Sequence, residues 1–147
     1  MEIINWDEYF MKMAQLASER STCLRRQVGA VIVKDNHVIA TGYNGSSKGS
    51  KHCEELGGCI RQKLNIPSGE KLDICRAVHA EQNAIIQAAY TGTSTKDATI
   101  YVTVTPCFTC GKMIVNAGIK EVVVAGEYPD ERTRELFDEV GVTIRKI

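Results

Sequence analysis

The second half of the chain alternates between short apolar runs and helical segments, and this alternation constrains the fold most strongly. Runs rich in β-branched residues predict strands over 99–104, 121–125 and 142–144. Helical patterns predict helices over 78–90, 107–117 and 130–140. Each helix is followed by the residue most common at helix C-terminal caps, a glycine: Gly92, Gly118 and Gly141. Strands that alternate with helices predict a sheet covered by helices.

The first half of the chain adds a helix and a hairpin to this pattern. Asn5 is a good N-cap for a helix with an apolar stripe at Trp6, Phe10, Met13 and Ala17. Strands are predicted over 28–33 and 38–43, joined by residues 35–36, Asp-Asn, which tolerate the backbone of a tight hairpin. The whole pattern predicts an α/β fold: a three-layer α/β/α sandwich with a mixed five-stranded sheet, in one domain over residues 1–147.

Six cysteines are many for a chain of 147 residues: Cys23, Cys53, Cys59, Cys75, Cys107 and Cys110. In a reducing compartment such thiols are more often metal ligands or catalytic groups than disulfides. Three of the six fall within or at the end of an irregular segment over 44–76. Compact domains seldom keep a loop of this length unless something functional holds it.

Two short motifs combine into a candidate zinc site. Cys107 and Cys110 follow Pro106 at the start of a predicted helix, so their sulfurs share one face and the helix N-terminus favours their thiolates. His79 begins another predicted helix, and helices that follow parallel strands start at the same sheet edge. One histidine and two cysteines leave the fourth zinc position open, which is typical of a catalytic site.

Glu81 is the candidate proton carrier beside this site. An ideal helix turns a residue two positions from His79 away from the metal, so Glu81 reaches it only through first-turn geometry and a long side chain. Each fragment has a simpler interpretation alone: a core histidine, a redox cysteine pair, or half of a structural zinc site. Together, H-x-E and P-C-x-x-C form the pattern of zinc nucleobase deaminases.

On these residues the chain resembles the cytidine/deoxycytidylate deaminase superfamily, from residue 20 to the last strand. The segments that carry the resemblance are 28–32, 41–45, 79–85 and 101–110. Gly-Tyr-Asn-Gly at 42–45 and the cysteine-bearing insertion before His79 resemble its deoxycytidylate (dCMP) branch. The resemblance implies a cytidine deaminase-like fold.

The same resemblance implies the hydrolytic deamination of dCMP to dUMP and ammonia, which supplies dUMP for thymidylate synthesis. It implies that His79, Cys107 and Cys110 hold a catalytic Zn²⁺ that activates water for attack on C4 of cytosine. Glu81 would accept the proton from water, protonate N3 and help the amino group to leave as ammonia.

Substrate contacts follow from the resemblance as expectations. Asn44 is expected at the deoxyribose hydroxyl or the phosphate, although a turn residue beside a glycine is an equal interpretation. Arg26 is the candidate for the 5′-phosphate, since a charge-assisted pair is needed there. The backbone near Ala80 and Thr105 is expected to contact the cytosine edge. Tyr128 is a candidate for stacking on the nucleotide, with an ordinary core or rim role as the alternative.

The other four cysteines could form a closed structural zinc site that staples the 44–76 insertion. Some members of the dCMP branch carry a second zinc in this insertion. His52 is a rival ligand, and buried free thiols are the alternative. The candidate ligands are Cys23, Cys53, Cys59 and Cys75.

Family resemblance also implies regulation and assembly. Many such enzymes are hexamers that dCTP with Mg²⁺ activates and dTTP inhibits. We therefore expect nucleotide substrates and effectors, and a homo-oligomer that is a hexamer. The candidate effector-site residues are Gly42, Tyr43, Asn44 and Gly45.

Charge and composition bear on the competing functions. Lys and Arg total 18 and Asp and Glu total 18, and aromatic residues make up 6%. These values disfavour the basic, aromatic groove of a tRNA adenosine deaminase or other polynucleotide editor. A noncatalytic, zinc-stabilised competence-associated protein is the second alternative. We expect no nucleic-acid or membrane partner and a cytoplasmic location, because no segment is typical of a bilayer span or a secretory signal.

Overall fold

A computed structural model describes all 147 residues. The helices are α1 Trp6–Ser18, α2 Ile60–Lys63, α3 Ala80–Thr91, α4 Phe108–Asn116 and α5 Glu131–Val140. The strands are β1 Gly29–Lys34, β2 His37–Tyr43, β3 Gly45–Ser46, β4 Ala77–Val78, β5 Thr99–Val102, β6 Glu121–Val124 and β7 Thr143–Lys146. A single 3-10 turn covers Leu72–Ile74. None of the helices combines the length and the apolar character that crossing a bilayer requires.

A mixed sheet of five strands, in the order β2-β1-β5-β6-β7, forms the middle layer. β1 is antiparallel to β2 and β5, whereas β5, β6 and β7 are parallel. Alternate side chains of the strands supply two cores. The core under α1 contains Val31, Val33, Tyr101 and Val123. The core under α3, α4 and α5 contains Ile32, Ile100, Val102, Val122 and Val124. The predicted three-layer sandwich is therefore confirmed.

Local turn chemistry matches the prediction at the hairpin, whereas the buried face of α1 differs from the predicted stripe. Asp35 and Asn36 adopt φ values of 50° and 58°, which suit the tight turn between β1 and β2. On α1 the buried residues are Phe10, Met11 and Ala14, while Trp6 is 55% exposed. The buried face is rotated by about one residue from the predicted stripe because α1 packs closely on β1 through Ala14.

The insertion lies between β2 and α3 and is irregular except for short elements. β3 and β4 pair at its two ends to form a separate two-stranded sheet. Consequently α3 follows β4 of this small sheet and not a parallel strand of the main sheet. The predicted rule that parallel strands bring the two ligand-bearing helices to one edge therefore applies to α4 but not to α3.

Candidate active site and metal centre

Two helix N-termini meet in the candidate site, and a predicted metal ligand caps each of them. His79 is the N-cap of α3 and Cys107 is the N-cap of α4, both with extended backbones. The backbone N–H of His79 donates to Gln82 Oε1 at 2.8 Å, and the backbone N–H of Cys110 donates to Cys107 Sγ at 3.5 Å. These contacts fix both caps at the positive ends of their helices, where thiolates are favoured.

The three predicted catalytic-zinc ligands form one compact group. Cys107 Sγ lies 3.6 Å and Cys110 Sγ lies 3.3 Å from His79 Nδ1. All three ligand atoms lie within 4.8 Å of one another. A tetrahedral zinc with ordinary bond lengths separates a sulfur ligand from a nitrogen ligand by about 3.6 Å. The donor set and its spacing therefore fit Zn²⁺.

Hydrogen bonds within this group set the protonation of its members. Bonds from the Cys110 thiol, the His79 ring and the Cys110 backbone amide lower the pKa of the Cys107 thiol to about 4. The bond to Cys107, burial and the charge of Glu81 raise the pKa of Cys110. The bond to Cys107 raises the pKa of His79. A bound dication favours deprotonated ligands, so metal binding at this group is coupled to proton release.

Glu81 lies in the first turn of α3 and is only 3% exposed. Burial raises the pKa of its carboxyl group, while its own backbone N–H, His79 and the Cys110 thiol act in the opposite direction. His79 precedes the helix in an extended conformation, so the two-residue offset does not turn Glu81 away from the ligands. Because His79 is the N-cap and not a helical residue, Glu81 lies near the ligands, which would not be so in an ideal helix.

A cavity of about 140 Å³ opens at the metal group and collects most of the predicted substrate residues. Glu81, His79 and Cys107 form one part of its wall. The predicted substrate residues that line it are Arg26, Asn44, Ala80 and Thr105. Tyr128 does not line it: its ring is 50% exposed, and the guanidinium carbon of Arg134 lies 5.6 Å from the ring centroid. Stacking of Tyr128 on a nucleotide stays a prediction.

Asn44 holds the chain segment that carries Arg26. Its Oδ1 accepts hydrogen bonds from the Val28 backbone N–H at 2.9 Å and the Ser21 hydroxyl at 2.6 Å. Its Nδ2 donates to the Arg26 carbonyl at 2.9 Å. The side chain is thus a fixed part of the cavity wall, with one N–H left for another acceptor.

The four remaining cysteines line a second, smaller cavity of about 20 Å³. Cys23 and Cys75 also line the larger cavity, so the two cavities share a wall. Burial and the charges of the other three thiols raise the pKa of Cys53. His79, Cys107 and Cys110 are the only residues whose ligand atoms already lie close enough together to bind one metal ion as three ligands. His52 does not line the small cavity.

The predicted effector segment divides between two sides of the structure. Gly42, Tyr43 and Gly45 line a surface depression of about 770 Å³, whereas the side chain of Asn44 points into the candidate active site. Gly42 also has a packing role. A Cβ there would overlap the Ala80 carbonyl oxygen and lie 3.1 Å from the Ala84 Cα, so glycine permits the close approach of α3 to β2.

Two arginines in the cavity wall, Arg25 and Arg61, could not be distinguished from solvated residues in the sequence. Arg61 is only 7% exposed, and it belongs to the four-residue helix α2. In the sequence, Arg61 follows two apolar residues, Cys59 and Ile60, within an otherwise polar segment. This is the only local indication that Arg61 is buried. That signal is too weak to separate a buried arginine from a solvated one.

Comparison with known proteins identifies the family. The family model for the cytidine and deoxycytidylate deaminase zinc-binding region matches residues 4–126. The chain belongs to this family. The match includes all three members of the metal group and Glu81.

A fungal and a bacterial protein are similar to this chain over nearly its whole length. The deoxycytidylate deaminase of Schizosaccharomyces pombe is 44% identical over 143 residues, which cover 97% of this chain and 44% of that protein. ComE operon protein 2 of Bacillus subtilis is 44% identical over 149 residues, covering 100% of this chain and 74% of that protein. The chain thus spans less than half the length of the fungal relative.

A solved structure matches over the complete length of both chains. The dCMP deaminase of cyanophage S-TIM5, in complex with dCMP and dUMP, superposes with a TM-score of 0.77 at 30% identity. The alignment covers 100% of each chain. The two chains therefore share one overall fold.

Proposed function

We propose that the protein hydrolyses dCMP to dUMP and ammonia and so supplies dUMP for thymidylate synthesis. The observation that carries the proposal is the compact group of His79, Cys107 and Cys110 with the buried Glu81 at one cavity. Family membership and the dCMP deaminase relatives support this choice of substrate.

The residues of the chain have separate tasks in the proposed reaction. Zn²⁺ held by the His79 group would supply the Lewis acidity that makes water a nucleophile at neutral pH. Glu81 accepts a proton from the attacking water as oxygen adds to C4, and it delivers that proton to N3 of cytosine. Glu81 then takes the proton of the new C4 hydroxyl and passes it to the amino group, so the C4–N bond breaks, a carbonyl forms at C4 and ammonia leaves. Burial suits this role because it raises the pKa of Glu81 and so makes its carboxylate a better proton acceptor.

The cavity wall provides the proposed substrate contacts. The backbone near Ala80 and Thr105 contacts the cytosine edge, and the free N–H of Asn44 Nδ2 donates to the deoxyribose hydroxyl or the phosphate. Arg26 lies at the exposed end of the wall, where it attracts the 5′-phosphate. Truncation of Arg26 to alanine should raise KM for dCMP much more than for deoxycytidine. Equal increases would count against a phosphate contact.

Ammonia release from dCMP, dCTP, deoxycytidine and a tRNA stem-loop tests the function directly. We expect dCMP to give the highest kcat/KM. A preference for the stem-loop would identify a tRNA deaminase instead. Release from none of the four by the zinc-loaded protein would favour a noncatalytic competence-associated role, which the ComE operon relative makes the appropriate alternative.

A second, structural Zn²⁺ is part of the proposal. The four remaining thiols surround one small cavity beside the insertion, and a closed cysteine site there would staple that insertion. Metal analysis of the purified protein should give about two zinc ions per chain by the four-ligand rule for closed sites. A value near one would remove the second site.

The proposed assembly is a cytoplasmic homohexamer that responds to triphosphates. The depression lined by Gly42, Tyr43 and Gly45 also contains Lys48 and Lys51, which suit a triphosphate with Mg²⁺. Six free cysteines suit a reducing compartment.

Sigmoidal dCMP kinetics that become hyperbolic with dCTP, and that dTTP inhibits, would support the proposed regulation by triphosphates. Light scattering would give the number of subunits. Rates insensitive to both triphosphates would contradict it.

A further inference from the structure

Arg61 is a buried cation that lacks an acidic partner. It is 7% exposed, and no ion pair of the protein includes it. Its Nε donates to the Glu70 carbonyl at 3.0 Å, and this is the only hydrogen bond that its side chain makes to the protein. A buried guanidinium is costly unless hydrogen bonds and an opposite charge compensate it, so its terminal nitrogens lack their natural partner.

The side chain of Arg61 borders the candidate active site. Arg61 lines the same cavity as His79 and Glu81, and Glu81 is the only carboxylate in its wall. Two other arginines line the cavity, but Arg25 Nη1 is engaged with the Ile66 carbonyl at 3.2 Å, and Arg26 is exposed. Arg61 is therefore the cation that is both fixed by burial and free to bind an anion in the cavity.

The loop around Arg61 holds it in one orientation. The Ile66 backbone N–H donates to the Arg61 carbonyl at 2.8 Å and closes the turn after α2. The bond from Arg61 Nε reaches across this loop to Glu70. Ser68 and Gly69, between these two anchor points, also line the cavity. A planar guanidinium held at Nε presents its two terminal nitrogens as a fork that matches phosphate oxygens.

We propose that Arg61 binds the 5′-phosphate of the nucleotide and determines the preference for a nucleotide over a nucleoside. This inference rests on the proposed function, since it names the part of that substrate which the insertion recognises. The phosphate supplies the opposite charge that Arg61 lacks, and the Ser68 hydroxyl provides a further donor on the same wall. Arg26 then acts at the entrance, where it attracts the anion.

The four thiols of the small cavity are a competing partner for Arg61. Arg61 also lines the small cavity of the four thiols, whose thiolates would be negative around a structural zinc. If Arg61 serves only that cluster, its loss changes zinc binding and not phosphate recognition. The two roles therefore differ in a metal measurement.

Three variants test the proposal. Arg61→Gln removes the charge but keeps a donor for the Glu70 carbonyl, and Arg61→Lys keeps the charge but loses the fork. Arg76→Gln is the matched control, because Arg76 lies in the same insertion, is exposed and does not line the cavity. For each variant we would measure kcat/KM for dCMP and deoxycytidine, zinc per chain, and calorimetric binding of dUMP and deoxyuridine.

Loss of a charge-assisted bidentate contact should reduce kcat/KM for dCMP about 100-fold in Arg61→Gln, mainly through KM. Deoxycytidine turnover and zinc content should change little, Arg61→Lys should be intermediate, and Arg76→Gln should match the wild type. Equal losses for dCMP and deoxycytidine, or zinc loss without a change in their ratio, would overturn the proposal.

Binding separates failure of this inference from failure of the proposed function. If the wild type releases no ammonia from dCMP, the proposed function fails, but calorimetry still tests Arg61. Tighter binding of dUMP than of deoxyuridine that disappears in Arg61→Gln would support the phosphate site. Equal affinities of the wild type for dUMP and deoxyuridine would exclude it.

Discussion

At the scale of the residue, the proposed role of Glu81 as proton carrier depends on its burial. Glu81 has a raised pKa because it is removed from water, yet it lies beside His79 and two thiols that can carry charge. Glu81→Gln keeps the size of the side chain but removes its basicity. We expect the variant to bind zinc normally and to lose about a thousandfold in kcat, within the range of general acid–base catalysis.

Ammonia release and zinc content per chain would check this expectation. Glu139→Gln on the exposed face of α5 is the matched control and should behave as the wild type. Normal turnover by Glu81→Gln would exclude Glu81 as the proton carrier.

A second residue, Thr133, contains a buried hydroxyl group that lowers the stability of the fold. Thr133 is fully buried where α5 packs on α4, and its hydroxyl has no hydrogen-bond partner within 3.5 Å; its polar neighbour is the Asp130 carboxyl group. Its methyl group packs near Gly111, where an added Cβ would lie 3.0 Å from Thr133 Cγ2. Thr133→Val keeps this packing and replaces the unpaired hydroxyl, so the free energy of unfolding should rise by about 1 kcal/mol.

Urea unfolding of the zinc-loaded proteins would measure that change. Thr133→Ser is the informative control, because it keeps the unpaired hydroxyl but loses the packed methyl group and should be less stable than the wild type. A less stable valine variant would mean that the hydroxyl has a partner in solution, such as a buried water.

At the scale of the element, the position of α3 on β2 determines where two residues of the proposed metal centre lie. α3 carries His79 and Glu81 at its start, and the close approach at Gly42 sets its height above the sheet. Gly42→Ala places a methyl group against backbone atoms that cannot move independently of the helix. We expect a loss of about 1–3 kcal/mol in unfolding free energy together with weaker zinc retention.

Thermal unfolding and zinc release to a chelator would show both effects. In Gly126→Ala the added methyl group has no neighbour closer than 3.4 Å, so this variant provides a milder comparison. Unchanged zinc retention in Gly42→Ala would separate this packing from the metal centre. Altered triphosphate response without loss of stability would instead favour the predicted effector role of Gly42.

Local signals predicted the elements well, and long-range placement explains what they missed. The caps of α4 and α5 lie next to their helices in the sequence, so residues 107–117 and 130–140 could be predicted closely. The capping role of His79 depends on a small sheet that joins β3 to β4 across about 30 residues, which no local pattern specifies. The burial of Arg61 could not be predicted for the same reason, because it depends on how the insertion folds over the cavity.

At the scale of the whole molecule, one polar network joins the start of the chain to its end. Arg145 on β7 contacts both oxygens of Asp7 on α1 at 2.8 and 3.0 Å and Glu121 on β6 at 3.0 Å. The Tyr101 hydroxyl donates to Asp7 at 2.8 Å from β5. The network connects α1 with strands β5, β6 and β7, on the side of the sheet opposite to α3. It can therefore be altered without touching the metal centre.

This network should make the fold sensitive to acid. The hydrogen bond from Arg145 lowers the pKa of Asp7, with a smaller contribution from Tyr101. A carboxyl group with a depressed pKa stabilises the fold fully above its unfolded pKa, near 3.9, and loses that contribution as pH falls through its folded pKa. The stability advantage of the wild type over Asp7→Asn should therefore be constant at neutral pH and disappear in strong acid.

A double-mutant cycle with Asp7→Asn and Arg145→Met would measure the coupling, and Asp138→Asn on the exposed face of α5 is the control. Because both partners are partly exposed, we expect a coupling of about 0.5–1 kcal/mol at neutral pH. Urea unfolding from pH 7 downward would show it shrink as Asp7 is protonated, and added salt would weaken it at every pH. A coupling that persists unchanged into strong acid would mean that packing, and not charge, joins α1 to β7.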